Sequence, residues 1–133
     1  MSRGFEPYCT NDEARDYFFK KCGFTYDDIT EEDISILVLM LKEELKISNK
    51  KGETVVNMKL SEKIQMKTKE NGAIKYCFLY LNSNYFTRRE AISFNEDGFI
   101  GFAGWADDGN LNPIKRAFCR WCDYLKDTIL NER

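Results

Sequence analysis

The chain has 133 residues, 43% of them hydrophobic and 14% aromatic, and carries a formal net charge of −2. This is one domain's worth of sequence, able to bury about two-thirds of its unfolded surface and too apolar for a disordered chain. The charge is segregated, with 6 basic and 11 acidic side chains in residues 1–47, 9 and 4 in residues 48–91, and 5 and 7 in residues 92–133, which argues against an overall basic protein but leaves room for a basic face.

The first predicted helix covers 11–22. Thr10 and Glu13 form a capping box at its start, and Gly23 followed by Phe24 suits a Schellman ending. Ala14, Tyr17, Phe18 and Cys22 share one face. The second predicted helix covers 31–47. Thr30 caps it with Asp33 in the capping-box position, and Ile29 and Ile34 occupy the hydrophobic-staple positions. Ile34, Leu37, Val38, Leu41 and Leu45 make the apolar stripe, which Ile36, Leu39 and Met40 widen almost all round. Such a helix is expected to be covered on more than one side, by core or by the interface of a homodimer or partner.

Residues 54–69 and 73–82 read as a hairpin closed by Asn71-Gly72, the strongest short turn signal. A two-residue type I′ turn there makes paired numbers sum to 143. Ile64 then faces Leu79 and Met66 faces Cys77 on one side, while Lys63, Gln65 and Lys67 face Tyr80, Phe78 and Tyr76 on the other. A second hairpin joins 88–94 to 99–105 through Asn95-Glu-Asp-Gly98. Gly101 and Gly104 in its second strand permit a close approach to the backbone. The last helix, about 113–130, starts with Asn112 as cap and Pro113 at its first position, and aligns Ile114, Ala117, Phe118, Trp121, Cys122 and Leu125. The expected fold is α+β, one domain over 1–133: two N-terminal helices, a four-stranded antiparallel sheet of two hairpins, and a C-terminal helix packed on the sheet.

The sequence has no histidine, which removes the commonest general base, nucleophile partner and metal ligand. Together with the absence of a phosphate-binding glycine loop, this points away from an enzyme and from any cofactor or metal. The five cysteines are odd in number and irregularly spaced, as expected of reduced thiols. Cys119-Arg-Trp-Cys122 lies mid-helix with no second pair to complete a zinc site. Cys122 falls on the apolar stripe, so Cys122→Ser is expected to destabilise through a buried hydroxyl and Cys119→Ser to leave function intact. Asp107-Asp-Gly-Asn-Leu-Asn-Pro113 has Asp108, Asn110 and Asn112 at alternate positions but puts proline where a calcium loop needs glycine, and reads as a turn. No apolar run approaches a membrane span and Met1–Pro7 lacks a signal-peptide core, so a cytoplasmic protein is expected.

Two charged sets stand out as partner-binding candidates: the acidic Asp27, Asp28, Glu31 and Glu32, and the basic Lys63, Lys67, Arg88 and Arg89. The basic set is interleaved with Tyr76, Phe78 and Tyr80, a composition able to stack bases and neutralise phosphates. The plainer reading has helices covering those aromatics and lysines snorkelling at the rim.

The stretch Arg89–Asn110, followed by Pro113-Ile114 and Trp121-Cys-Asp-Tyr-Leu125, resembles small uncharacterised proteins from phages and prophages of Gram-positive bacteria. The resemblance covers roughly the last third of the chain and brings no catalytic residues. It implies a non-enzymatic, anti-CRISPR-like inhibitor in the host cytoplasm that binds and blocks a host defence protein such as a CRISPR nuclease. Its acidic first third would dock on a basic nucleic-acid channel. Two alternatives stay open: a binder that sequesters a signalling nucleotide, and a nucleic-acid-binding accessory protein.

Overall fold

The computed structural model describes residues 11–51, 59–82, 89–95, 99–102 and 113–132. In chain order these form α1 (Asn11–Asp16), a π-helical turn (Tyr17–Lys21), a 3-10 turn (Tyr26–Asp28), α2 (Glu31–Lys51), β1 (Lys59–Thr68), β2 (Ile74–Asn82), β3 (Arg89–Asn95), β4 (Phe99–Phe102) and α3 (Pro113–Glu132). The sheet is antiparallel in the order β1-β2-β3-β4, so the α+β expectation holds. Among the described residues no helix is long and apolar enough to cross a membrane.

The capping of α2 forms as its sequence dictates. The Thr30 N–H donates to the Asp33 carboxylate at 3.0 Å, and the Asp33 N–H donates back to the Thr30 hydroxyl at 3.4 Å, satisfying two donors that a helix start would leave unpaired. Ile29 and Ile34 are both buried. The Ile74 N–H donates to the Ile29 carbonyl at 2.8 Å, and Thr30 bridges to Ala73, so the start of α2 is tied to the start of β2.

The first predicted helix is corrected. It is α-helical only to Asp16 and then widens by one residue per turn, the Cys22 N–H donating to the Tyr17 carbonyl at 2.8 Å. The widened turn keeps Tyr17 and Phe18 both inside. Gly23 takes the expected left-handed conformation at φ +73, and Phe24 stacks edge-on to Phe18 at 5.4 Å. Thr10 lies outside the described residues.

The first hairpin reaches its predicted register by another route. The Gly72 N–H donates to the Lys69 carbonyl and the Lys69 N–H to the Ala73 carbonyl, so the loop has three residues, with Gly72 last at φ +89. This is the type I turn plus αL residue of three-residue hairpins, not the type I′ turn. The Ala73 N–H also donates to the Asn71 side chain at 3.0 Å. A three-residue loop gives the pair Thr68↔Ile74, and a bulge at the next step restores Lys67↔Tyr76, Met66↔Cys77, Gln65↔Phe78 and Ile64↔Leu79. A second irregularity between Leu60 and Ile64 removes the expected pairing of Lys63 with Tyr80. Residues 54–58 and 103–105, assigned to strands by the sequence, lie outside the described residues.

One face of the sheet carries the rows Ile64, Leu79, Ile92 and Met66, Cys77, Phe94, Ile100. On it lie α2 and α3. Trp121 is fully buried, stacks against Phe18 at 6.1 Å, meets the Phe94 edge at 5.5 Å, and donates its indole N–H to the Asp33 carbonyl at 2.8 Å. The two helices are also joined through Glu44, whose carboxylate accepts from Arg116 at 3.0 Å and Arg120 at 2.8 Å. Helix α2 is not wrapped on all sides: Leu39 is 61% exposed and Ile36, Val38 and Met40 are half-buried.

Candidate functional site

Alternation along a strand sends successive side chains to opposite faces, so the register that buries Cys77 and Leu79 turns Tyr76, Phe78 and Tyr80 outward. All three are half-buried. The outer face reads Lys67, Tyr76, Asn95 in one row and Gln65, Phe78, Ser93, Gly101 in the next. Tyr76 and Phe78 are neighbours, with ring centroids 5.7 Å apart and planes tilted by 46°. The Tyr80 hydroxyl donates to the Gln65 side-chain carbonyl at 3.0 Å, which fixes the amide beside Phe78. Among the described residues the helices cover the other face, so the expectation that helices bury these aromatics is corrected.

Of the basic set, Lys67 stands directly across from Tyr76 and Lys63 lies four residues earlier on the same strand, both exposed. Arg89 pairs with Leu81 at the start of β3, and Arg88 lies outside the described residues. Lys75, at the bulge, adds a further exposed cation.

The acidic set gathers elsewhere. Asp27, Asp28, Glu31 and Glu32 line an open hollow of about 580 Å³ together with Thr30, Gly72 and Ile129. Its members are not equivalent. Asp27 pairs with Lys69 at 3.0 Å, and Asp28 accepts from the Thr25 N–H at 2.8 Å. Glu31 and Glu32 are exposed in the first turn of α2, where the helix dipole favours negative charge. An exposed pair such as Asp27–Lys69 contributes about 0–1 kcal/mol.

The thiols are turned inward. Cys77 and Cys122 are buried, and burial pushes the Cys77 thiol up to about 12 and Cys122 well above the ordinary thiol value. Cys22, half-buried, is raised for the same reason. These groups stay protonated at neutral pH, and a thiol is a poor nucleophile until it ionises. Cys119 is as fully buried as Cys122, so a serine at either position buries a hydroxyl and is expected to destabilise the fold. Tyr17 is also held protonated, first by burial and then by donating its hydroxyl to Asp123. Among the described residues no cluster of three or more His, Cys, Asp or Glu could hold a metal ion. The loop 107–112 lies outside them.

Sequence reasoning missed Gln65 as a partner of Tyr80 and missed Glu44 as the link between α2 and α3. A signal for Glu44 existed: it sits three residues after Leu41 and beside Leu45 on the buried stripe, and Arg116 and Arg120 are spaced to share one helix face. Comparison of the chain with protein-family models, curated proteins and solved structures gives no match.

Proposed function

We propose that the chain acts by binding, with no chemistry of its own, and that its ligand is nucleic acid held on the outer face of the sheet. One observation carries this reading: Tyr76, Phe78 and Tyr80 stand on the side of β2 turned away from the helices, with Lys67 across from Tyr76 and Lys63 on the same neighbouring strand. Aromatic rings stack on bases of any identity, and lysines neutralise phosphates. A net charge of −2 for the whole chain does not oppose this, because at physiological salt charges act over about 8 Å. The test is fluorescence anisotropy with a labelled oligonucleotide. Binding should weaken steeply as salt rises and should vanish in a Lys63→Glu/Lys67→Glu double variant that melts like wild type. Unchanged binding by that variant would refute the reading.

The acidic hollow favours a second reading. Four acids around one open depression suit the inhibitor role implied by the resemblance of the C-terminal third to small phage proteins, with the acids docking on the basic nucleic-acid channel of a host defence protein such as a CRISPR nuclease. Glu31→Lys/Glu32→Lys should then abolish inhibition in cells while leaving oligonucleotide binding untouched. The two readings therefore predict opposite outcomes for the two reversals.

A further inference from the structure

Resting on the nucleic-acid reading, we infer that the outer face of the sheet selects single-stranded, unstacked nucleic acid over duplex, with Tyr76 and Phe78 each receiving one base. The spacing of the rings carries this. Alternate residues of a strand stand about 6.6–6.8 Å apart along it, and the Tyr76 and Phe78 centroids are 5.7 Å apart with their planes 46° from parallel. Bases within a duplex rise by about 3.4 Å per step and lie parallel. Two bases lying flat on these two rings are therefore separated and tilted relative to each other, a geometry open only to a strand whose bases have come apart.

The polar groups fit the same strand. Lys67 faces Tyr76 and Gln65 faces Phe78 on β1, so a cation and an amide flank the two rings on one side. The Gln65 carbonyl already accepts from Tyr80, so what the amide offers a ligand is its NH2 donors. On the other side of Phe78 the row continues with Ser93, which is buried, and Gly101, which is half-buried. A duplex has its bases enclosed and can engage only the lysines, through phosphates, in a contact that salt removes.

The experiment measures equilibrium binding of one fluorescein-labelled mixed-sequence oligonucleotide of about ten nucleotides, within the usual footprint of such faces, both alone and annealed to its complement. The single strand should bind at least about tenfold more tightly. Phe78→Ala and, separately, Tyr76→Ala should each weaken single-strand binding about tenfold and leave duplex binding unchanged, as removal of one stacking ring does. Lys67→Glu should weaken both forms. Thermal melts of each variant establish that it is folded. Equal affinity for the two forms, or ring variants that leave the ratio unchanged, would overturn the selection while leaving nucleic-acid binding intact. Failure of both forms to bind at low salt would overturn the nucleic-acid reading and this inference with it.

Discussion

The two sides of the sheet are built from the same strands and differ in nearly everything else. On one side Cys77, Leu79, Ile92, Phe94 and Ile100 are buried beneath α2 and α3. On the other, Tyr76 and Phe78 keep part of their rings in solvent beside exposed lysines. The packed side is accounted for by stability, since burying a large apolar side chain contributes about 1.5–3 kcal/mol. The outer side is not accounted for that way. On the reading proposed above, this half-exposed aromatic row is the surface that meets nucleic acid.

The comparison can be broken most severely with pH. Cys77 ionises near 9 when unfolded and is pushed up to about 12 by burial, and Cys122 and Tyr17 are raised in the same direction. Above pH 9 the unfolded chain gives up protons that the folded one keeps. Their contribution is therefore complete below pH 9 and is lost as pH rises toward the folded values. Thermal melts should show a melting temperature that is level to about pH 9 and then falls to outright unfolding, with a shallower fall in Cys77→Ala. A level profile through pH 11 would contradict the burial of these groups.

The next largest effect is expected from Trp121→Ala. It should cost about 3–5 kcal/mol in urea unfolding, as large aromatic truncations in cores do. A cost below about 1 kcal/mol would mean that α3 does not seat on the sheet. Glu44→Ala should cost about 1–3 kcal/mol by the same measurement, because it leaves Arg116 and Arg120 without the charged acceptor they share. The smallest effect sharpens the contrast. Phe78→Ala, one residue from buried Cys77, should change stability by less than about 1 kcal/mol, as surface substitutions do. A core-sized loss there would make the outer face a second core.

Much of this frame was legible in the sequence, for local reasons. Thr30, Asp33, Ile29 and Ile34 fix the start of α2 through contacts a few residues apart. The register of β1 against β2 was legible from alternation, even though the turn was not. Asn71-Gly72 suits several tight turns, and the extra residue in the loop is cancelled by the bulge at Lys67/Thr68. The π turn had no local signal. Tyr17, its first residue, donates its hydroxyl to Asp123, a contact 106 residues distant in sequence. The site was legible as a list of charges but not as a surface. Which side Tyr76 and Phe78 occupy depends on where the helices settle, and whether Lys63 meets Tyr80 depends on an irregularity between Leu60 and Ile64 that composition does not encode.

The Trp121 indole bond to the Asp33 carbonyl has a consequence for how the protein is made. Each strand pairs with the next as it leaves the ribosome, so the sheet can zip up in the order of synthesis. Its apolar side cannot be sealed that way, because the ring that joins Phe18, Phe94 and Phe118 belongs to α3. At about 5–20 residues per second, the interval between completing Phe102 and completing α3 lasts a few seconds. For that time the nascent chain presents the rows of Ile92 and Phe94 only partly covered, and chaperone occupancy should concentrate there, ending when the last helix is released.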